Sequence, residues 1–152
     1  MNFTKLVWGV KASFRNYVEA AEGSITVSDG AIKADDGTFV FTAKPGGDLA
    51  IAPDGSASGA MHVQGTVTFE AHGGMLKSTL TDLAVEAAED GLVLTVLDAP
   101  MNKHRCAIAD LDLIESGSGD TVVMSAKITI DGMYQIADNY PPGTELDPIL
   151  LS

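Results

Sequence analysis

The chain has 152 residues, of which 45% are hydrophobic and 20% charged, and its formal net charge is -12 at pH 7. A chain of this length can bury most of its apolar surface in one core, so we expect a single domain over residues 1–152. The negative charge repels polyanions and argues against nucleic acid as a partner. A single cysteine, Cys106, excludes an internal disulfide and a cysteine-rich zinc site.

The N-terminus, MNFTKLVWGV, lacks the basic segment and long apolar run of a secretory leader. No later apolar run is long enough to cross a bilayer as a helix. As written, the sequence therefore predicts a cytoplasmic location, unless a leader has been removed.

The first predicted element is an amphipathic helix from Thr4 to Ala21, which Gly23 would end. Its apolar residues recur at steps of three and four: Leu6, Val7, Val10, Phe14, Tyr17 and Val18. This helix would gather a cluster of positive charge that a small anionic ligand could use, made of Lys5, Lys11 and Arg15. A second cluster is Lys103, His104 and Arg105.

After this helix the hydrophobic pattern changes to a period of two, and turn residues such as Asp29-Gly30 separate the segments. The predicted strands are SITVS, TFVFTA, MHVQGTVTFEAH, MLKSTLTDLAVEA, LVLTVLD, CAIADLDLI and TVVMSAKITI. Seven or more strands with hairpin-like links predict a mainly β fold, either an antiparallel β-sandwich or a partly closed barrel, with the amphipathic helix packed on it. A short helical turn is expected before Pro141, followed by an extended C-terminus.

The strand around MHVQGTVTFEAHGG predicts one packed face and one polar face. Met61, Val63, Val67, Phe69 and Ala71 form the packed face, and the other carries His62, Gln64, Thr66, Thr68, Glu70 and His72. His72 falls at the strand end beside Gly73 and Gly74, where missing side chains allow a tight turn or a close approach. Such a histidine is more often a surface residue or a local hydrogen-bonding group than a ligand.

Tyr17 allows two interpretations. Its spacing from Val10 and Phe14 favours packing at the boundary of the core. If a ferric ion is present, the phenolate is a hard anionic ligand, and tyrosine is one of the axial ligands of haem iron. A neutral histidine that donates its N–H to the phenolate would support that role. Other motifs are absent, including GxSxG, a phosphate loop, HExxH and an EF-hand. Asp110 and Asp112 share a strand face that we expect to be solvated.

Four blocks carry a family resemblance over essentially the full length: WGVKASFRNYV followed by GSITVSDGA, then GTVTFEAHGGMLKSTLTDLAVE, CAIADLDL and YPPGTELDPI. With these blocks in this order, the chain resembles the HtaA domain family, the haem-binding β-rich domains of bacterial haemin-uptake systems. It differs from the family pattern at Ile136 and Asn139, where aromatic residues are usual, and at Leu83, where a proline is usual. Family members are typically exported or anchored to membranes.

The resemblance implies ferric haem as cofactor, with Tyr17 as axial ligand and metal-binding residue and with His72 as its hydrogen-bond partner. It also implies Lys11 or Arg15 as partners of a haem propionate, and Phe14 and Tyr140 as further cofactor-binding residues. Other haem-transfer proteins would be partners, and a homo-oligomer is compatible with the sequence.

Two other functions stay open. The same pocket could belong to a cofactor-independent enzyme of lyase, isomerase or cyclase type, with Tyr17 and His72 as acid and base on a small apolar or aromatic substrate. The chain could also be a binding or structural domain without ligand chemistry, in which Tyr17 is packed.

Overall fold

The computed structural model describes residues 3–52, 54–89, 91–97, 104–116, 121–136 and 140–152. Its strands are β1 Lys5–Trp8, β2 Ser24–Ser28, β3 Ile32–Lys33, β4 Phe39–Ala43, β5 Ala50–Ile51, β6 Ala57–Ser58, β7 Ala60–Gln64, β8 Thr66–Ala71, β9 Leu76–Ala88, β10 Gly91–Leu97, β11 Arg105–Ser116, β12 Val122–Ile128 and β13 Glu145–Leu151. The helices are α1 Ala12–Ala20 and α2 Ile130–Gln135, with one 3-10 turn at His72–Gly74.

Eight of these strands form a closed antiparallel ring. The order is β1, β4, β7, β9, β10, β11, β12 and β13, and β13 returns to β1. Strand β9 closes the ring because it pairs with β7 on one edge and with β10 on the other. Of the two architectures predicted from the sequence, the barrel is confirmed.

A three-stranded extension leaves this ring at β9, and we call it the wing. It consists of β2, β8 and the first half of β9, Leu76–Thr81. Strand β8 continues from β7 after Gly65 and occupies the same edge of β9 as β7 does. The predicted alternation is confirmed, since Met61, Val63, Val67, Phe69 and Ala71 are all buried.

Helix α1 covers the inner, apolar face of the wing and joins it to the ring. The Phe14 ring lies 4.9 Å from Phe69 in β8, and Phe69 in turn lies 5.9 Å from Phe39 in β4. Both Phe14 and Val18 are buried, as expected for positions four apart on one helix face. This aromatic cluster fixes the side on which α1 presents its exposed residues.

The predicted helix from Thr4 to Ala21 is wrong in its first half. Residues Lys5–Trp8 form β1, which pairs with β4 and β13, and the helix begins only at Ala12. Lys5 therefore lies on a strand and does not share a helix face with Arg15. The apolar positions Leu6, Val10 and Phe14 fit a helical period, but Leu6 and Trp8 also fit an alternating one, and pairing on both edges of β1 decides between them.

The other predicted strands lie within one or two residues of their predicted bounds, with two exceptions. MHVQGTVTFEAH is divided at Gly65 into β7 and β8, and TVVMSAKITI ends at the first residue of α2. The expected short helix before Pro141 is α2, and the extended C-terminus is β13. Cys106 is half-buried on β11, where Asp110 and Asp112 are exposed as predicted. Lys103 and Asn139 lie outside the described residues. No helix within the described ranges is both long and apolar enough to cross a membrane.

Candidate functional site

Tyr17 and His72 meet at the surface where α1 ends beside the wing. The Tyr17 hydroxyl and His72 Nε2 are 2.6 Å apart, and their rings are tilted by 58° with centroids 5.7 Å apart. Tyr17 is 47% exposed, so it is not a packed core residue. When Nε2 carries the proton, the imidazole donates to the tyrosine oxygen and supports its anionic form.

The end of α1 sets the position of Tyr17. The Gly23 amide donates to the Val18 carbonyl and the Glu22 amide to the Glu19 carbonyl, which together form a Schellman motif with Glu22 in the left-handed region at φ 59°. A Cβ atom on Gly23 would overlap the carbonyl oxygen of Glu70 and lie 2.9 Å from Ala71 Cβ. Only glycine therefore lets the helix end approach β8 so closely.

A strained turn sets the position of His72. His72, Gly73 and Gly74 have φ values of 55°, 65° and 94°, so three consecutive residues are left-handed. Histidine adopts this region more readily than β-branched residues do, but it still costs energy that the surrounding structure must offset. The turn directs the chain from β8 to β9 and places the imidazole against Tyr17.

Lys11, Phe14 and Tyr140 form a second group at the start of α1. Lys11 Nζ donates to the Glu145 carbonyl at 2.7 Å and lies 5.7 Å from the centroid of the Tyr140 ring. Tyr140 packs edge-on against Phe14 at 6.2 Å, and its hydroxyl is 3.5 Å from Ser13 Oγ. Ser13 and Tyr17 are four residues apart and so share one face of the helix. Tyr140 and His72 therefore flank opposite ends of that face.

Arg15 has a different environment from Lys11. Its guanidinium binds Asp147 Oδ2 at 2.6 Å and the Gly9 carbonyl at 2.7 Å, with only 13% of the side chain exposed. Asp147 also accepts from the Ala12 amide and donates its own amide to the Val10 carbonyl. Arg15 thus ties the turn between β1 and α1 to β13.

A charged cluster that the sequence pattern did not indicate surrounds Asp82 in β9. Lys44 Nζ and Arg105 Nη2 each lie 3.0 Å from an Asp82 carboxylate oxygen, and His62 Nδ1 lies 4.0 Å away. Burial acts to raise the pKa of the Asp82 carboxyl, but the hydrogen bond from Lys44 and the nearby charges outweigh burial and lower that pKa. No local spacing signals this cluster, because its members come from four different strands or loops.

Asp82 stands where β9 passes from the wing into the ring, and its backbone is left-handed at φ 53°. The pairing of β9 with β10 shifts register at this place, which marks a bulge. Leu83, which follows Asp82, is fully buried. The cluster therefore stabilises the point at which the wing leaves the ring.

Among the described residues, two cavities lie apart from the Tyr17–His72 pair. One of about 390 Å³ is lined by residues that include Phe3, Lys44 and Met61, and one of about 450 Å³ includes Asp29, Lys44 and Asp82. A third, of about 350 Å³, includes His72 with Glu22 and Glu70. Ile136 is buried and so does not add an exposed side chain to the site.

Comparison with known proteins identifies the family. The family model for HtaA matches residues 4–152. The chain belongs to the HtaA family. Among proteins with curated functions, none matches the sequence at a significant level.

Three solved structures of Corynebacterium glutamicum proteins resemble this HtaA-family chain. The C-terminal domain of HtaA is 28% identical with a TM-score of 0.74, covering 98% of this chain and 95% of that one. The N-terminal domain of HtaA is 25% identical with a TM-score of 0.74, covering 99% and 97%. The haem-binding protein HtaB is 19% identical with a TM-score of 0.69, covering 98% and 91%, which shows a shared fold.

Proposed function

We propose that this HtaA-family protein binds ferric haem, with the Tyr17 oxygen as axial ligand and His72 as the group that supports the phenolate. The observation that carries the proposal is the 2.6 Å contact between an exposed tyrosine hydroxyl and a histidine nitrogen. Family membership and the shared fold with a haem-binding protein support the choice of ligand.

The residues present suit a haem. Bound haem would supply a ferric iron, a hard cation for which a phenolate oxygen is a favourable ligand. Tyr17 is exposed enough to accept such a ligand without unfolding of the helix, and an imidazole donating to its oxygen stabilises the phenolate form. In this role the protein captures and releases its ligand and needs no bond-breaking chemistry.

Lys11 is the better partner for a propionate. Among the described residues no carboxylate pairs with its ammonium group, which contacts a carbonyl oxygen and the face of Tyr140. The Arg15 guanidinium is held by Asp147 and the Gly9 carbonyl, so binding a propionate would require it to leave both. In this proposal Tyr140 provides an aromatic contact to the haem, and Phe14 supports the Tyr140 ring by packing against it.

The geometry favours binding over acid–base catalysis. Catalytic pairs usually lie in a concave site that excludes water, whereas Tyr17 and His72 are both exposed. Two cavities are lined by other residues, and a third is lined by His72 but not by Tyr17.

An absorbance titration with haemin tests the proposal on wild type, Tyr17→Phe and Tyr134→Phe. Tyr134 is a matched control because it is 73% exposed and lies on α2. We expect saturable binding with ferric tyrosinate charge-transfer bands in the wild type and in Tyr134→Phe, and loss of those bands in Tyr17→Phe. Unchanged bands in Tyr17→Phe would exclude Tyr17 as the ligand, and no specific binding by the wild type would refute the function.

A further inference from the structure

Strand β2 is the outermost strand of the wing and leaves one edge open. It pairs with β8 from Ser24↔Glu70 to Ser28↔Thr66, and within the described part of the chain no strand pairs with its other edge. An open edge presents unpaired amide and carbonyl groups to solvent, which is a template for another strand.

Three features that usually block such pairing are absent within β2. The five residues SITVS contain no charge and no proline, and the register with β8 is continuous, without a bulge. Natural edge strands commonly carry a lysine, a proline or a bulge to prevent association with other chains. The absence of all three within β2 leaves it competent to pair.

The apolar face of the wing is also incompletely covered at this edge. Ile25 and Val27 of β2 pair with Phe69 and Val67 of β8 on the inner face. Phe69 and Val67 are fully buried, whereas Ile25 and Val27 are only half-buried. A further strand beside β2 would bury the remaining apolar surface of both side chains.

The sequence of β2 is complementary to itself in the antiparallel direction. With Thr26 opposite Thr26 of a second copy, Ile25 lies opposite Val27 and Ser24 lies opposite Ser28. Apolar residues then meet on the inner face and hydroxyl residues on the outer face. The row Thr26, Thr68 and Thr79 across the wing would continue into the second copy. A contact in which the same patch serves both copies is the geometry of a two-fold dimer.

We propose that this protein forms a homodimer by antiparallel pairing of β2 with β2 of a second copy, with the two-fold axis at Thr26. The pairing joins two wings into one continuous six-stranded sheet. Helix α1 lies on the inner face of each wing, so both copies of α1 lie on the same side of the joined sheet.

Electrostatics makes this dimer dependent on salt. Each chain carries a formal charge of -12, and Glu22 and Asp29 flank β2 at its two ends. In the paired arrangement each Glu22 comes near Asp29 of the other copy, and like charges oppose association. Screening weakens this repulsion, so dimerisation should strengthen as ionic strength rises.

Sedimentation of the full chain over a range of concentrations tests the dimer, with Thr26→Lys and Thr68→Lys as matched variants. Both threonines point to the outer face, but Thr68 lies in the central strand of the wing. We expect a concentration-dependent dimer that Thr26→Lys weakens by roughly tenfold or more, because two lysines then oppose each other at the axis. Thr68→Lys should leave dimerisation unchanged.

Three outcomes would overturn the proposal: a monomer up to about 1 mM protein, a dimer insensitive to Thr26→Lys, or a dimer that both variants weaken equally.

A covalent test avoids dependence on the lysine variant. Directly opposed residues in an antiparallel pair have Cα atoms about 4.5–5.5 Å apart, within the range for a disulfide. Thr26→Cys should therefore give an oxidised dimer, and Thr68→Cys and wild type, which has Cys106, should not. Equal cross-linking of all three would also overturn the pairing.

Discussion

Helix α1 contributes one residue to each of two hydrogen-bonded pairs, Arg15 with Asp147 and Tyr17 with His72, and the two pairs have different roles. Arg15 and Asp147 have side chains that are 13% and 24% exposed, and each makes further contacts with the backbone around the start of the helix. Tyr17 and His72 are exposed, and the contact between them is a single hydrogen bond. The first pair stabilises the fold, whereas the second leaves polar atoms accessible to the proposed ligand.

Arg15 and Tyr17, two positions apart on one helix, are therefore not interchangeable as ligand contacts. A side chain that already satisfies two acceptors loses both on binding something else. A half-exposed hydroxyl with one hydrogen-bond partner loses at most that one bond when a ligand approaches. Disrupting the Arg15–Asp147 pair should therefore reduce mainly stability. Disrupting the Tyr17–His72 pair should reduce mainly ligand binding.

The largest effect on stability is expected from Asp147→Ala. It leaves the Arg15 guanidinium without its counter-charge and removes the acceptor of the Ala12 amide. Because both side chains are mostly buried, we expect a loss of about 2 to 4 kcal/mol in the free energy of unfolding. Urea unfolding measures this, with Asp112→Ala as the control for an exposed strand carboxylate, which should change stability by about 0.5 kcal/mol or less. Equal losses in the two variants would show that the Arg15 pair does not build the fold.

A smaller loss, about 1 to 3 kcal/mol, is expected from Gly23→Ala, because its Cβ would overlap the Glu70 carbonyl oxygen. The end of α1 must then move away from β8, and the contact between Tyr17 and His72 should be lost with it. Gly132→Ala is the matched control. Its Cβ would overlap the Ile108 carbonyl oxygen, a contact that involves neither α1 nor β8. If both variants lose similar stability but only Gly23→Ala changes the NMR signals of the His72 ring, Gly23 positions the pair. An unchanged His72 ring in Gly23→Ala would refute that role.

Replacing His72 should cost little stability and much ligand binding. His72→Asn keeps a residue that tolerates the left-handed backbone but removes the ring, so we expect a loss below about 1 kcal/mol. His72→Ala should be less stable than His72→Asn because alanine tolerates φ 55° less well. Haemin titration should show both variants equally weakened, since both lack the imidazole. Tight tyrosinate binding by His72→Asn would mean that the ring does not support the phenolate.

The sequence predicted most strands because their hydrophobic pattern matches their burial. Alternation identified β8 and its buried face, and Asp29-Gly30 marked the end of β2. The hydrophobic pattern gave a wrong prediction at β1, because residues such as Leu6 fit both the helical and the strand period. Only pairing with β4 and β13 determines that this segment is a strand. Local pattern determines structure where one period is unambiguous.

The contact between Tyr17 and His72 does not follow from the hydrophobic pattern. Periodicity placed Tyr17 on a helix and His72 at a strand end, but their contact depends on the approach of α1 to β8 at Gly23, which no local rule predicts. The resemblance to the HtaA family supplied that pairing. It could not show that Arg15 is held by Asp147, because these residues are 132 positions apart in the sequence.

The smallest effect is expected at the Asp82 cluster, and it appears as a dependence on pH. The folded state lowers the pKa of Asp82, so this group stabilises the fold above its unfolded pKa, about 3.9, and the stabilisation is lost as pH falls through the folded value. Asp82→Asn removes this contribution. Wild type should therefore be the more stable protein near pH 7, and the difference should shrink as the pH falls below about 4.

Urea unfolding of the two proteins between neutral and acidic pH measures this difference, with Asp112→Asn as the control. A constant difference at all pH values would mean that Asp82 acts through its shape and hydrogen bonds and not through its charge. A difference that disappears in acid would place the cluster with the Arg15 pair, among the ionic contacts that build the fold. Ligand binding at Tyr17 should not change in Asp82→Asn at neutral pH, because the two sites share no residue.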